Sequence, residues 1–241
     1  MPQLYKTEAI VIRQMKYGES SLILDAYTLE KGLRSMIING IRAKKSKSAI
    51  YQIMNQLDLV IYDSGPDKLN RIKETKIAYV YKSLGRDMIK TSIAIFMLDL
   101  FKQSVREHEA NEPLYHFLKQ SLILLDESSE LLSVFPLNFV LSFSNHLGFY
   151  PQNNYSDLCC GFSMIDGAFV NKLSSNQYVL SQELSHHLSN LLCYIEDTKE
   201  LFIPPKAIRK ELLNKLIDFY KLQMDGFGDL KSLSIIESLF E

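Results

Sequence analysis

The spacing of apolar residues changes once along this chain, near residue 85, and that change constrains its fold more than any other feature. Before it, apolar residues fall in short β-branched runs separated by turn residues. Tyr5 to Met15 centres on Ala9-Ile10-Val11-Ile12, a composition that favours a strand. Lys16-Tyr17-Gly18-Glu19-Ser20 reads as a turn in which Gly18 can take positive φ. Leu22 to Thr28 is a second strand, Glu30-Lys31-Gly32 a tight connection, and Leu33 to Asn39 a third strand. Tyr51, Ile53, Leu57, Leu59 and Ile61 alternate with Gln52, Gln56 and Asp58, which predicts a fourth strand with one buried face. Ser64-Gly65-Pro66-Asp67 is a turn, and Leu69 to about Lys76 supplies a fifth strand. Five short strands before any helix predict a closed or partly closed barrel, with the OB-fold as the leading choice. In the third strand Arg34 shares a face with Met36 and Ile38, so the pattern leaves open which side meets water.

From Arg86 the period is helical. Ile89, Ile93, Phe96 and Leu100 share one face. Asn111 and Pro113 start a second helix that should bury Leu114, Phe117 and Leu124. A third runs from about Leu137, just after Pro136, and ends at Gly148. Residues from about 150 to 178 have no clear period and read as an irregular insert, with a short hairpin across Asp166-Gly167. Ser181 caps the next helix, Pro204-Pro205 opens another carrying Ile208, Leu212, Leu216 and Phe219, and a short helix follows from Lys231. The expected architecture is α+β. An N-terminal five-stranded OB-fold barrel (residues 1–82) precedes an all-helical domain (residues 83–241) with the irregular insert. The apolar stripes read as core.

Between the third and fourth strands lies Asn39-Gly40-Ile41-Arg42-Ala43-Lys44-Lys45-Ser46-Lys47-Ser48, in which four of ten residues are cationic and none is acidic. Such a loop suits a phosphate backbone, because ammonium and guanidinium groups follow it and displace its counterions. A solvated loop without a ligand is the alternative. The charge balance along the chain favours the first reading. Residues 1–82 carry 14 Lys and Arg against 8 Asp and Glu, a net +6, whereas residues 83–241 carry 13 against 20, a net −7. That is the pattern of a basic module that meets a polyanion, joined to an acidic one with other work. The candidate phosphate contacts are Arg13, Lys16, Arg34, Arg42, Lys44, Lys45 and Lys47, with Tyr17 as a stacking platform; for Tyr51 a place in the barrel core is favoured. No apolar run approaches the length of a membrane span. Three cysteines give no disulfide framework, and a soluble cytoplasmic protein is expected. Walker-type phosphate loops, Gly-x-Ser-x-Gly elbows and His-Glu-x-x-His pairs are all missing from the sequence, so no enzyme activity is expected.

Several of these residues also resemble a known family. Ala9-Ile10-Val11-Ile12, Tyr17-Gly18-Glu19-Ser20-Ser21-Leu22, Thr28 with Lys31-Gly32, and Asn39-Gly40-Ile41-Arg42 with Lys47-Ser48 are similar, in order and spacing, to the amino-terminal signature of RecO, the bacterial recombination mediator. Leu147-Gly148-Phe149-Tyr150-Pro151 ahead of Cys160-Gly161, and Arg209, Tyr220 and Lys231-Ser232, resemble its helical carboxy-terminal part. The resemblance implies an OB domain that binds single- and double-stranded DNA and promotes annealing. It also implies contacts with the acidic C-terminal tail of single-stranded-DNA-binding protein and with RecR, and an indirect role in loading RecA, in a nucleoid-associated cytoplasmic protein. The tail would need an apolar pocket with a cation; Arg106, Lys119, Arg209 and Lys210 are basic positions near apolar stripes, more simply read as surface charges. Many RecO proteins hold zinc at the insert through two Cys-x-x-Cys pairs. Here Cys159 and Cys160 are adjacent and Cys193 sits in a helical stripe, so a metal-free insert without a cofactor is expected. Two further readings stand beside this one: a protein–protein adaptor whose barrel binds DNA weakly, and a metal-dependent nuclease, which a chelator would unmask.

Overall fold

Strand β1 (Gln3–Tyr17) is buried on both faces along Ala9-Ile10-Val11-Ile12, each at most 4 % exposed. The computed structural model, which describes residues 3–41, 48–106, 108–171, 177–200 and 203–239, explains why. Ala9 and Val11 point into a barrel, where they meet Leu22, Leu24, Met36, Leu57 and Ile61. Ile10 and Ile12 lie outside that cluster and are also buried, beneath helix α1 (Met88–Ser104), which packs on β1. A strand covered on both sides has no place for a polar residue, hence the unbroken apolar run.

Strands β2 (Ser21–Thr28), β3 (Gly32–Ile38), β4 (Gln56–Asp63) and β5 (Asn70–Tyr79) close the barrel in the order β1-β2-β3-β5-β4. All pairs are antiparallel except β3 with β5. The expected five-stranded OB-type barrel is therefore present. The fourth strand starts later than the alternation suggested. Ala49–Tyr51 is a single 3-10 turn, and Met54 has a φ of 75° before β4 begins at Gln56. Tyr51 does point into the core, as expected, but from that turn; its hydroxyl shares a 2.9 Å hydrogen bond with Thr75 Oγ1.

Tyr27, on the outer face of β2, packs against Phe101 of α1 at 4.8 Å between ring centroids and Tyr115 of α2 (Glu112–Glu127) at 6.3 Å. Asp87 and Asn111 cap the two helices through their side chains. Helix α2 buries Leu114, Tyr115, Leu118, Leu122 and Leu125, whereas Leu124, expected in the core, is 52 % exposed. The run Leu122-Ile123-Leu124-Leu125 contains no polar residue to fix the phase of the stripe. Asp126 locks the end of α2 to the start of the helical region. Its carboxylate accepts hydrogen bonds from the backbone N–H groups of Lys82, Ser83 and Leu84 at 2.7–2.8 Å, while the buried Lys90 ammonium donates to Ser83 Oγ and the Asp126 carbonyl. The barrel and these two helices thus form one compact unit (residues 1–128), and residues 129–241 form another. This division does not coincide with the strand-to-helix transition near residue 82.

The second unit contains α3 (Phe135–His146), a two-stranded hairpin of β6 (Gly161–Ser163) and β7 (Ala168–Val170), α4 (Gln182–Ile195), α5 (Lys206–Gln223) and α6 (Leu233–Leu239). The hairpin turns at Asp166-Gly167 and Ser181 caps α4, both as the sequence predicts. Rings of Phe149, Phe162, Phe219 and Tyr220 pack edge to face, and the buried Tyr220 hydroxyl donates to the Val140 carbonyl at 2.7 Å. The insert is held through Asn154, whose amide donates to the Phe169 carbonyl and accepts from its N–H. Cys160 is buried, and no group of three or more His, Cys, Asp or Glu side chains gathers as for a metal ion among the described residues. No helix is long and apolar enough to cross a membrane among the same residues.

Candidate nucleic-acid interface

Strand register brings three chain segments to one end of the barrel. The β1–β2 turn follows the pair Tyr17–Ser21, and Leu22 pairs with Ile38 at the exit of β3. Ile37 pairs with Arg71 at the start of β5. Ser21 Oγ donates to Asn39 Oδ1 at 3.2 Å, linking the first turn to the β3 exit. Ile41 and Tyr51, on either side of the basic stretch, are both anchored in the barrel core. Arg42, Lys44, Lys45 and Lys47 themselves lie outside the described residues.

Directly opposed residues of two paired strands lie on one face of the sheet. Because Leu22, Leu24 and Ala26 point inward, Ser21, Ile23 and Asp25 point outward, together with their partners Tyr17, Met15 and Arg13. Tyr17 is 53 % exposed and Met15 40 %, a ring and a thioether beside each other on the outer wall. Arg13 is not a free cation. Its Nε donates to Asp25 Oδ2 at 2.6 Å, and Asp25 Oδ1 also accepts from Ser35 Oγ at 2.7 Å. A phosphate at Arg13 must compete with that carboxylate. Lys16 is exposed at the strand end and has no acidic partner among the described residues.

Arg34 departs from the expectation. It faces inward opposite Ala26 and is 5 % exposed, with Nη1 donating to the carbonyls of Leu33 and His108 at 2.8 and 2.9 Å. No phosphate can reach it. Its guanidinium instead joins β3 to the segment that follows α1, and His108 Nδ1 returns a 2.9 Å hydrogen bond to the Leu33 carbonyl. Nearby Tyr5 has its phenol pushed up to about 12, by burial first and by the Asp63 carboxylate second.

Two cations not singled out from the sequence flank the start of β5: Arg71, beside Ile37 near the β3 exit, and Lys68, in the turn before it. Lys68 in the β4–β5 turn and Arg71 on the outer face of β5 are exposed, and neither has an acidic partner among the described residues. Asn70, between them and fully buried, holds the turn in place. Its Oδ1 accepts from the Ser64 N–H at 2.8 Å and its Nδ2 donates to the Lys68 carbonyl at 3.1 Å. The signal for Arg71 was its place between apolar Leu69 and Ile72, but its use depends on β5 lying beside β3, which only the closed topology provides. The β3 exit thus has Arg71 beside it and both anchors of the Arg42–Lys47 stretch, with Lys16 and Tyr17 at the adjoining end of β1. Exposed unpaired cations there can replace the counterions of a phosphate backbone, and an exposed ring beside them can stack on a base.

Comparison with known proteins bears on what meets this surface. Residues 1–81 match the family described as Recombination protein O N terminal, and residues 85–234 match Recombination protein O C terminal. The chain is similar to the DNA repair protein RecO of Christiangramia forsetii, 34 % identical over 240 residues that cover 98 % of this chain and 99 % of the relative. It is similar to that of Phocaeicola vulgatus at 32 % over 239 residues, covering 98 % and 99 %. It also resembles that of Flavobacterium johnsoniae at 34 % over 243 residues, covering 98 % of each.

Proposed function

Because the chain belongs to the Recombination protein O family of DNA repair proteins, we propose that it is a non-enzymatic, DNA-binding recombination mediator. In this reading the barrel binds single- and double-stranded DNA and promotes annealing. The protein engages the C-terminal tail of single-stranded-DNA-binding protein and, with RecR, assists RecA loading onto coated DNA in the cytoplasm, at the nucleoid. The observation that supports this most is the gathering of Lys16 and Arg71 with the anchors of the Arg42–Lys47 stretch beside the β3 exit. Annealing is opposed chiefly by repulsion between two phosphate backbones, and a surface that neutralises both at once removes that obstacle.

A second reading, an adaptor that binds DNA weakly, draws on two facts. Arg34 is buried and withdrawn from any phosphate, and Arg13 is engaged by Asp25, with which a phosphate must compete. Filter binding of single-stranded DNA across a salt series separates the readings. With four phosphate contacts, log affinity should fall with log salt at a slope of about −3. A flat response, or no binding at low salt, would favour the adaptor.

A further inference from the structure

Behind the 3-10 turn that closes the basic stretch, the first unit has a groove of about 550 Å³. One wall is the connection from Gln52 to Asn55, five to eight residues after Lys47 in the chain. The others are the end of β5 with its continuation (Ile77, Tyr79, Val80, Tyr81), Gln14 of β1, Arg86 just before α1 and Ile95 within it. Three of its apolar side chains are left in water, Val80 at 77 %, Ile77 at 47 % and Ile95 at 38 % exposure. Asn55 and Thr91 of its lining are hydrogen-bonded to backbone carbonyls, but four other polar side chains are open to water. Among the described residues, the Gln14 and Gln52 amides, the Tyr79 hydroxyl and the Arg86 guanidinium have no side-chain partner, whereas Tyr81 is already committed to Gln56 and the Met54 carbonyl.

We infer that this groove takes an unstacked nucleobase of single-stranded DNA, held flat between apolar side chains and the Tyr79 ring, with its edge on the two amides and its phosphate on Arg86. The inference rests on the DNA-binding reading above and extends it from phosphate to base recognition. Charge decides among occupants. Arg86 is the one ionisable cation of the lining and no acidic residue faces it, which fits one phosphate per base. An acidic peptide would bring several carboxylates to this single cation, and an uncharged apolar helix would leave the guanidinium and both amides unpaired. Amides supply both donor and acceptor, so any base edge finds a partner and no sequence preference follows.

The test compares oligothymidylate with an abasic oligomer of equal length, by fluorescence anisotropy on the full chain. Wild type should bind oligothymidylate at least about fivefold more tightly. The double variant Ile77→Ser/Val80→Ser changes two exposed side chains and no charge. It should lose most of that preference, stacking on Tyr17 supplying the remainder, and bind the abasic oligomer as wild type does. Equal binding of both oligomers by wild type, or a preference undiminished in the variant, overturns the groove assignment while leaving phosphate binding intact. Failure of wild type to bind either oligomer overturns the DNA-binding reading itself, and the groove assignment with it.

Discussion

Arg34 and Asp126 are buried and charged, and each holds backbone rather than ligand. Arg34→Met should lower stability by about 2 kcal/mol, because the carbonyls of Leu33 and His108 lose a charged donor. It should leave DNA affinity unchanged, and denaturant midpoints beside anisotropy on one preparation would show both. At Asp126, burial alone would raise the carboxyl pKa, but three backbone N–H groups and the Ser83 hydroxyl more than offset it and hold the group below its usual range. Its stabilisation is therefore complete above the unfolded carboxyl pKa of about 3.9 and is lost as pH falls through the lower folded value. Asp126→Asn should cost about 2 kcal/mol at pH 7. The gap between variant and wild-type urea midpoints should narrow near pH 3; a gap of unchanged size would mean that the carboxylate is not the source.

At the scale of elements, the β2–β3 connection is the tightest joint of the first unit. Gly32 has a φ of 65°, and a Cβ there would lie 2.2 Å from the Glu109 carbonyl oxygen. Gly32→Ala should therefore cost about 3 kcal/mol, from backbone strain and a clash that the segment after α1 must yield to. A thermal midpoint equal to wild type would show that the segment moves freely. The sequence carried this element well where its information was local. The Glu30-Lys31-Gly32 turn, the Ser181 cap and the Asp166-Gly167 hairpin each follow from a few adjacent residues. The strand expected from Tyr51 and the burial expected of Leu124 did not, because apolar residues next to other apolar residues leave the period ambiguous and only packing against distant elements resolves it. Arg34 was ambiguous for the same reason, since β3 buries a face on which an arginine sits.

For the whole molecule, the site was legible in charge and not in geometry. The excess of cations in residues 1–82 and the Asn39–Ser48 stretch pointed to the barrel's outer surface. The contribution of Lys68 and Arg71 depends on β5 closing beside β3, a parallel contact between residues more than 30 apart in sequence. The second unit is organised around its own aromatic core and carries 8 Lys and Arg against 13 Asp and Glu, a balance that disfavours phosphate there. The direct test of this account is anisotropy binding of single-stranded DNA to wild type and to Arg42→Ala/Lys44→Ala/Lys45→Ala/Lys47→Ala across a salt series. The account predicts a large loss of affinity and a salt slope smaller by about 0.7 for each phosphate contact removed. Unchanged affinity and slope would contradict it and return the stretch to solvated surface.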